Sequence, residues 1–145
     1  MSHDCYDDAD LRAILSGVKT IAVVGASPNP SRPSFGVAAY LAAHGFEVYP
    51  VNPGQAGQII AGRRAYARLA DIPVPVDLVD IFRASAHVPD VLAEVLSLSP
   101  RPKVFWMQIG VRHEAAAAEA EAAGLRVVMN RCTKIEYARL CASAA

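Results

Sequence analysis

An excess charge of either sign is missing from this chain: 14 Lys and Arg balance 14 Asp and Glu, for a formal net charge of zero. No basic cluster breaks that balance, and affinity for nucleic acid is mostly counterion release by Lys and Arg, so no nucleic-acid partner is expected. Long apolar runs are missing as well. Hydrophobic residues make up 53% of the chain, much of it Ala, yet no uninterrupted stretch approaches the roughly 20 residues of a membrane span, and no membrane partner is expected. The opening Met1-Ser2-His3-Asp4-Cys5-Tyr6-Asp7-Asp8 is acidic and polar where a secretory leader is basic and then apolar, which makes the cytoplasm the expected location. Cysteines number three, Cys5, Cys132 and Cys141. That odd count without C-x-x-C argues against a disulfide framework or a zinc knuckle. His3, His44, His87 and His113 show no metal-ligand spacing, and Ser27 lacks the G-x-S-x-G of a hydrolase elbow. No linker or repeat divides the 145 residues, so one domain, residues 1–145, with a core that needs no staples is expected.

What is present is alternation. Asp7 or Asp8 can cap a helix carrying Leu11, Ile14, Leu15 and Val18 at helical spacing. The apolar Thr20-Ile21-Ala22-Val23-Val24 reads as a strand buried on both faces, and a helix follows from Ser34, a good N-cap, to Gly45. Phe46 to Val51 is a second strand and Val76 to Phe82 a third. Between them lies loop-like text with Gly57, Gly62, Arg63 and Arg64, in which a short helical turn is expected around Tyr66 to Leu69 and no crossover helix is obvious. A helix from Ala86 to Leu98, a strand Lys103 to Met107, a helix His113 to Ala123, a strand Arg126 to Met129 and a helix from Thr133 towards Cys141 complete the series. Right-handed crossovers then require a three-layer, doubly wound α/β fold around a five-stranded parallel sheet. The expected strand order is 3-2-1-4-5, with a crevice at the carboxyl ends of the first and fourth strands, where the winding reverses.

The junction Gly25-Ala26-Ser27-Pro28-Asn29-Pro30-Ser31-Arg32-Pro33-Ser34 carries most of the functional information. It turns a buried strand into a helix, and the helix start offers unpaired N–H groups and a favourable dipole to an anion, with Arg32 beside it. A phosphate-bearing ligand is the leading expectation; the alternative is an ordinary strand-to-helix turn. The dinucleotide fingerprint G-x-G-x-x-G keeps only its first glycine here, and Asn52-Pro53 stands where an NAD site has an acidic residue for the ribose. A neutral residue there suits a phosphorylated ribose, which leaves coenzyme A or NADP, with Arg63 or Arg64 available to the extra phosphate.

Those motifs, with Tyr49-Pro50-Val51-Asn52-Pro53, Val76 to Arg83, Trp106-Met107-Gln108-Ile109-Gly110 and Val128-Met129-Asn130-Arg131-Cys132, resemble the successive motifs of the small CoA-binding domain family. That family is similar to the nucleotide domain of the succinyl-CoA synthetase alpha subunit, and the likeness runs from about Thr20 to Ile135. The resemblance implies a Rossmann-like domain that binds CoA or an acyl-CoA and has no catalysis of its own. By position it implies that Gly25, Ala26 and Ser27 let the backbone approach the pyrophosphate while Arg32 and Ser34 donate to its oxygens. It further implies that Asn52 and Pro53 meet the ribose and adenine, Phe82 and Arg83 the adenosine portion, and Gln108 and Gly110 the pantetheine amides. Asn130 and Cys132 belong to the last motif. The lysine often found after Asn-Pro in the family is absent from Gly54-Gln55-Ala56-Gly57, so the 3'-phosphate partner is not assigned.

Plainer readings stand beside these. Asn52-Pro53 reads equally as turn chemistry, and Phe82 as the apolar end of a strand. Cys132, next to Arg131 and Lys134, is either a thiol able to form a mixed disulfide with CoA or a small buried hydrophobe. Gln108 follows a buried apolar run, and its amide must find partners. At the level of function the alternatives are an NADP-linked reductase and an accessory subunit of an acyl-CoA ligase; a protein partner or a homodimer remains open.

Overall fold

All five residues of the first strand are buried, as the run Thr20–Val24 demands when helices cover both faces of a sheet. The computed structural model describes residues 3–141. Its elements run α1 (Asp8–Ser16), β1 (Thr20–Val24), α2 (Pro33–Ala43), β2 (Glu47–Val51), β3 (Ile59–Ile60), β4 (Arg63–Arg64), β5 (Leu78–Ile81), α3 (Val88–Leu96), β6 (Val104–Met107), α4 (Glu114–Ala122), β7 (Arg126–Val128) and α5 (Thr133–Leu140). Short 3-10 turns occupy Pro53–Gln55, Leu69–Asp71 and Ser85–His87.

The main sheet is parallel throughout, in the order β2-β1-β5-β6-β7. The three-layer α/β fold is as expected. The order 3-2-1-4-5 is corrected: counting the five long strands alone, it is 2-1-3-4-5, and the winding reverses between the first and third strands rather than the first and fourth. The cause lies in the segment after β2. There β3 and β4 form an antiparallel hairpin turned by Ala61 and Gly62, both at positive φ (50° and 82°), and the chain then runs along the outer edge of β2. The Tyr66 N–H donates to the Pro50 carbonyl, the Asn52 N–H to the Tyr66 carbonyl and the Arg63 Nε–H to the Val48 carbonyl, each at 2.9 Å. With that edge taken, the third long strand pairs on the free side of β1.

The two sheet faces build two cores. On one, α3 and α4 pack Val91, Leu92, Val95, Ala116, Ala117 and Ala120 against Ala22, Val79, Ile81, Phe105 and Val127. The alanines of α4 let that helix approach the sheet closely. On the other, α1, α2 and α5 cover Ile21, Val23, Val48, Leu78, Trp106 and Val128. Trp106 is fully buried, and its indole N–H donates to the Arg131 carbonyl at 2.8 Å, as a buried indole requires. That bond fixes the loop ahead of α5.

Two helix starts bear on the site. Asp7 caps α1, accepting the Ala9 N–H at 3.0 Å. Ser34 does not cap α2: Pro33, whose φ is preset for the first helical position, begins the helix one residue earlier, and Arg32 takes the N-cap without a side-chain bond. Ser34 is thereby turned inward and buried.

Candidate functional site

Asn52, Gly25, Phe82 and Gln108 stand one residue beyond the pairing and Asn130 two beyond it, and the five form a row across the carboxyl edge of the sheet in strand order. All five fall on the face covered by α2 and α5, because Val23, Trp106 and Val128, two positions earlier on their strands, belong to that core. Five of the residues expected to bind ligand thus stand along one rim.

Gly25 sits where β1 and β5 part. Its φ is +87°, and a Cβ there would lie 3.0 Å from Cγ of Arg83 and 3.1 and 3.2 Å from the carbonyl carbon and oxygen of Phe82. Only glycine admits both the conformation and the close approach. The corrected strand order is what brings Phe82 and Arg83 next to Gly25, with Asn52 on its other side.

The loop that follows is held from within. The Gly25 and Ala26 N–H groups both donate to the Val51 carbonyl, at 2.9 and 3.3 Å, and the Ser27 N–H donates to Oγ of Ser34 at 3.1 Å. Ser27 Oγ accepts the Asn29 N–H at 3.1 Å, and Asn29 Oδ1 accepts from both the N–H and the hydroxyl of Ser31. The three backbone N–H groups nearest the turn are therefore committed. The groups that can still meet an anion include the hydroxyl protons of Ser27 and Ser34, the Arg32 guanidinium and the dipole of α2. None of the ion pairs among the described residues involves Arg32 or Arg83.

Gly25, Ala26, Ser27, Arg32, Ser34, Asn52 and Phe82 line one open crevice of about 280 Å³. Pro53, exposed in the turn after β2, lies outside that lining. Gln108, Gly110, Asn130 and Cys132 lie further along the rim, after β6 and β7. There Asn130, at φ +61°, accepts the Gly110 N–H on its Oδ1 at 2.7 Å and joins the two loops. Cys132 is buried in the α2/α5 core, while its two cationic neighbours rest on rings: Arg131 on Tyr6 at 5.1 Å and Lys134 on Tyr40 at 5.4 Å. Arg63 and Arg64 line a separate hollow with Tyr49 and Tyr66.

Sequence reasoning missed Asp80. Fully buried in the central strand, it accepts the Thr133 hydroxyl on Oδ2 at 2.7 Å, and burial pushes its pKa up to about 7 against the weaker opposing effect of that hydrogen bond. Its Oδ1 and Oε1 of Gln108 are the two buried side-chain polar atoms without a partner among the described residues. A carboxyl group inside the apolar run Val76–Phe82 was the available signal; its partner lies 53 positions away. Among the described residues no group of His, Cys, Asp and Glu could hold a metal ion, and no helix is long and apolar enough to cross a membrane.

Known proteins are similar to this chain in fold and in sequence. A Thermus thermophilus protein solved as cell-free ID.343 superposes with a TM-score of 0.87 at 44% identity, covering 93% of this chain and 99% of its own. The uncharacterized protein YneT of Bacillus subtilis is 36% identical over 130 residues, 90% of this chain and 93% of its own length. The ADP-forming acetate–CoA ligase II of Archaeoglobus fulgidus is 37% identical over 91 residues, which are 61% of this chain but only 13% of the ligase. Residues 19–138 match the family described as CoA binding domain, and by that match, over most of its length, the chain belongs to the CoA-binding domain family.

Proposed function

We propose that the crevice at the start of α2 binds coenzyme A or an acyl-CoA, with the diphosphate held there and no catalysis by the chain itself. The observation that carries this reading is the convergence of three distant segments, the Gly25–Ser34 loop with its Arg32, Asn52 and Phe82, on one crevice. Because the Gly25, Ala26 and Ser27 N–H groups are engaged, the diphosphate is met by the Ser27 and Ser34 hydroxyls, by Arg32 and by the helix dipole. Phe82 and the Arg83 stem form the wall for the adenosine. Neutral Asn52 repels no phosphate on the ribose.

The direct experiment is mass spectrometry of the protein purified without added ligand, first native and then denatured. A released mass of CoA, an acyl-CoA or dephospho-CoA supports the reading; a released nicotinamide dinucleotide overturns it. Added CoA should also raise the melting temperature, since a ligand at 100 times its Kd stabilises the native state by about 2.7 kcal/mol.

The similarity to part of an acetate–CoA ligase favours a second reading, in which the chain presents CoA to a separate partner. Mixed with acetate, ATP and CoA, the chain alone then forms no acetyl-CoA and gains that activity only with a second chain.

A further inference from the structure

The hairpin after β2 builds a hollow of its own. Val48, Tyr49, Gly62, Arg63, Arg64 and Tyr66 enclose about 240 Å³. The turn at Ala61 and Gly62 sends Arg63 and Arg64 back along the outer edge of β2. Each guanidinium rests on a ring, Arg63 at 5.6 Å from the centre of Tyr49 and Arg64 at 5.7 Å from that of Tyr66. The Nε–H of Arg63 donates to the Val48 carbonyl at 2.9 Å, which fixes that guanidinium in place and leaves its Nη–H donors over. None of the ion pairs among the described residues involves either arginine. Two like charges at one small hollow repel each other, and an anion between them removes that cost.

The hollow is not a lobe of the crevice. Tyr49 and Tyr66 pack against the core under α3 and α4, whereas the crevice row stands on the face that α2 and α5 cover. Val48 stands four residues before Asn52 along β2, which at roughly 3.3 Å per residue sets the anchored end of Arg63 about 13 Å back from the rim. We propose that this hollow is a second anion site, which takes the phosphate monoester of a small metabolite and does not depend on the coenzyme reading. A guanidinium grips an oxyanion through two parallel N–H···O bonds. A carboxylate, with two oxygens, is filled by one such fork, whereas the three terminal oxygens of a phosphate monoester serve both. At neutral pH that group carries about two negative charges, enough to balance the two arginines. The phenol groups of Tyr49 and Tyr66, which line the hollow as well, are further donors. A volume of about 240 Å³, room for roughly eight waters of about 30 Å³ each, admits the phosphate and part of the molecule that carries it.

The probes are inorganic phosphate and glycerol 3-phosphate, titrated into the isotope-labelled full chain and followed by amide NMR shifts, with sodium chloride at equal ionic strength as the control. Saturable shifts are expected at Gly62 to Tyr66, and they persist when CoA is present in excess. Arg64→Gln removes an exposed fork, and Arg63→Lys keeps the charge but loses the fork. Each variant is expected to weaken the phosphate response of the hairpin by about tenfold, the worth of a charge-assisted hydrogen bond. Chloride reproducing the shifts overturns the site, as do shifts confined to Gly25 to Ser34 or phosphate affinity retained in both variants. Displacement of phosphate from the hairpin by CoA overturns it too, because the arginines would then belong to the coenzyme crevice. If CoA binds nowhere on the chain, the coenzyme reading fails while the hairpin response to phosphate still decides this one.

Discussion

The side-chain amide of Asn52 bridges the loops that follow β1 and β2: its Nδ2 donates to the Ala26 carbonyl at 2.8 Å while its Oδ1 accepts the Gly54 N–H at 3.0 Å. The residue that looked like a mark of ligand choice is therefore also a fastener of the loop. Asn52→Ala leaves the Ala26 carbonyl without this partner and is expected to destabilise the chain by about 1–3 kcal/mol. Asn52→Asp is expected to cost at least as much, because it replaces the donor with a carboxylate facing a carbonyl. Urea denaturation of both variants is the check; equal stability of Asn52→Asp and wild type would mean that the bond contributes nothing.

Gly25→Ala meets two penalties at once, the positive φ and the contact of the new Cβ with Phe82 and Arg83. The conformational part alone is about 1–2 kcal/mol, and the displaced Phe82 backbone adds to it. The variant should melt lower and lose the stabilisation by CoA, since the crevice wall is what moves. Thermal melts with and without CoA read both effects, and a variant that melts like wild type would show that the turn relaxes freely.

Arg32 offers the opposite pattern. It is exposed and makes no ion pair among the described residues, so Arg32→Ala should change stability by no more than about 0.5 kcal/mol. The loss falls on the ligand: a charge-assisted bond to a phosphate is worth about 1.5–3 kcal/mol, which weakens CoA roughly 10- to 100-fold. The wild-type affinity should also fall more steeply with salt than that of the variant. Titration at two ionic strengths decides, and undiminished binding would move the diphosphate elsewhere.

The division between what the sequence disclosed and what it hid follows from the range of the interactions. Strand and helix alternation is a local pattern, and β1, α3 and α5 lie within a few residues of their expected bounds. Strand order is a question of which edge is free, and the answer was hidden in Ile59–Arg64, a hairpin whose turn uses Ala61 at positive φ, where Asn, Asp or Gly would have announced it. Ser34 misled because Ser is a preferred N-cap, yet Pro33 before it already marked the first helical position. Most of the rim was legible because loop chemistry there is written in Gly, Pro, Asn and Ser. Asp80 was not, since its hydroxyl partner is distant in sequence and only the sheet register shows which face it occupies.

Asp80 also ties stability to pH. Its carboxyl group is held at about 7 in the folded chain by burial, against an ordinary value of 3.8. Between those two values the folded state keeps a proton that the unfolded state has lost, so stability falls as pH rises from about 4 to about 7 and the cost is complete above that. A rise from 3.8 to about 7, at about 1.4 kcal/mol per pH unit, puts the cost on the order of 4 kcal/mol. Asp80→Asn cannot ionise, so its stability relative to wild type should grow across that window and level off above pH 7. Urea denaturation of both proteins at pH 5, 6, 7 and 8 measures the difference. A constant difference would mean that the carboxyl group titrates alike in both states. A growing one would mean that the chain retains a destabilising acid at the centre of its sheet.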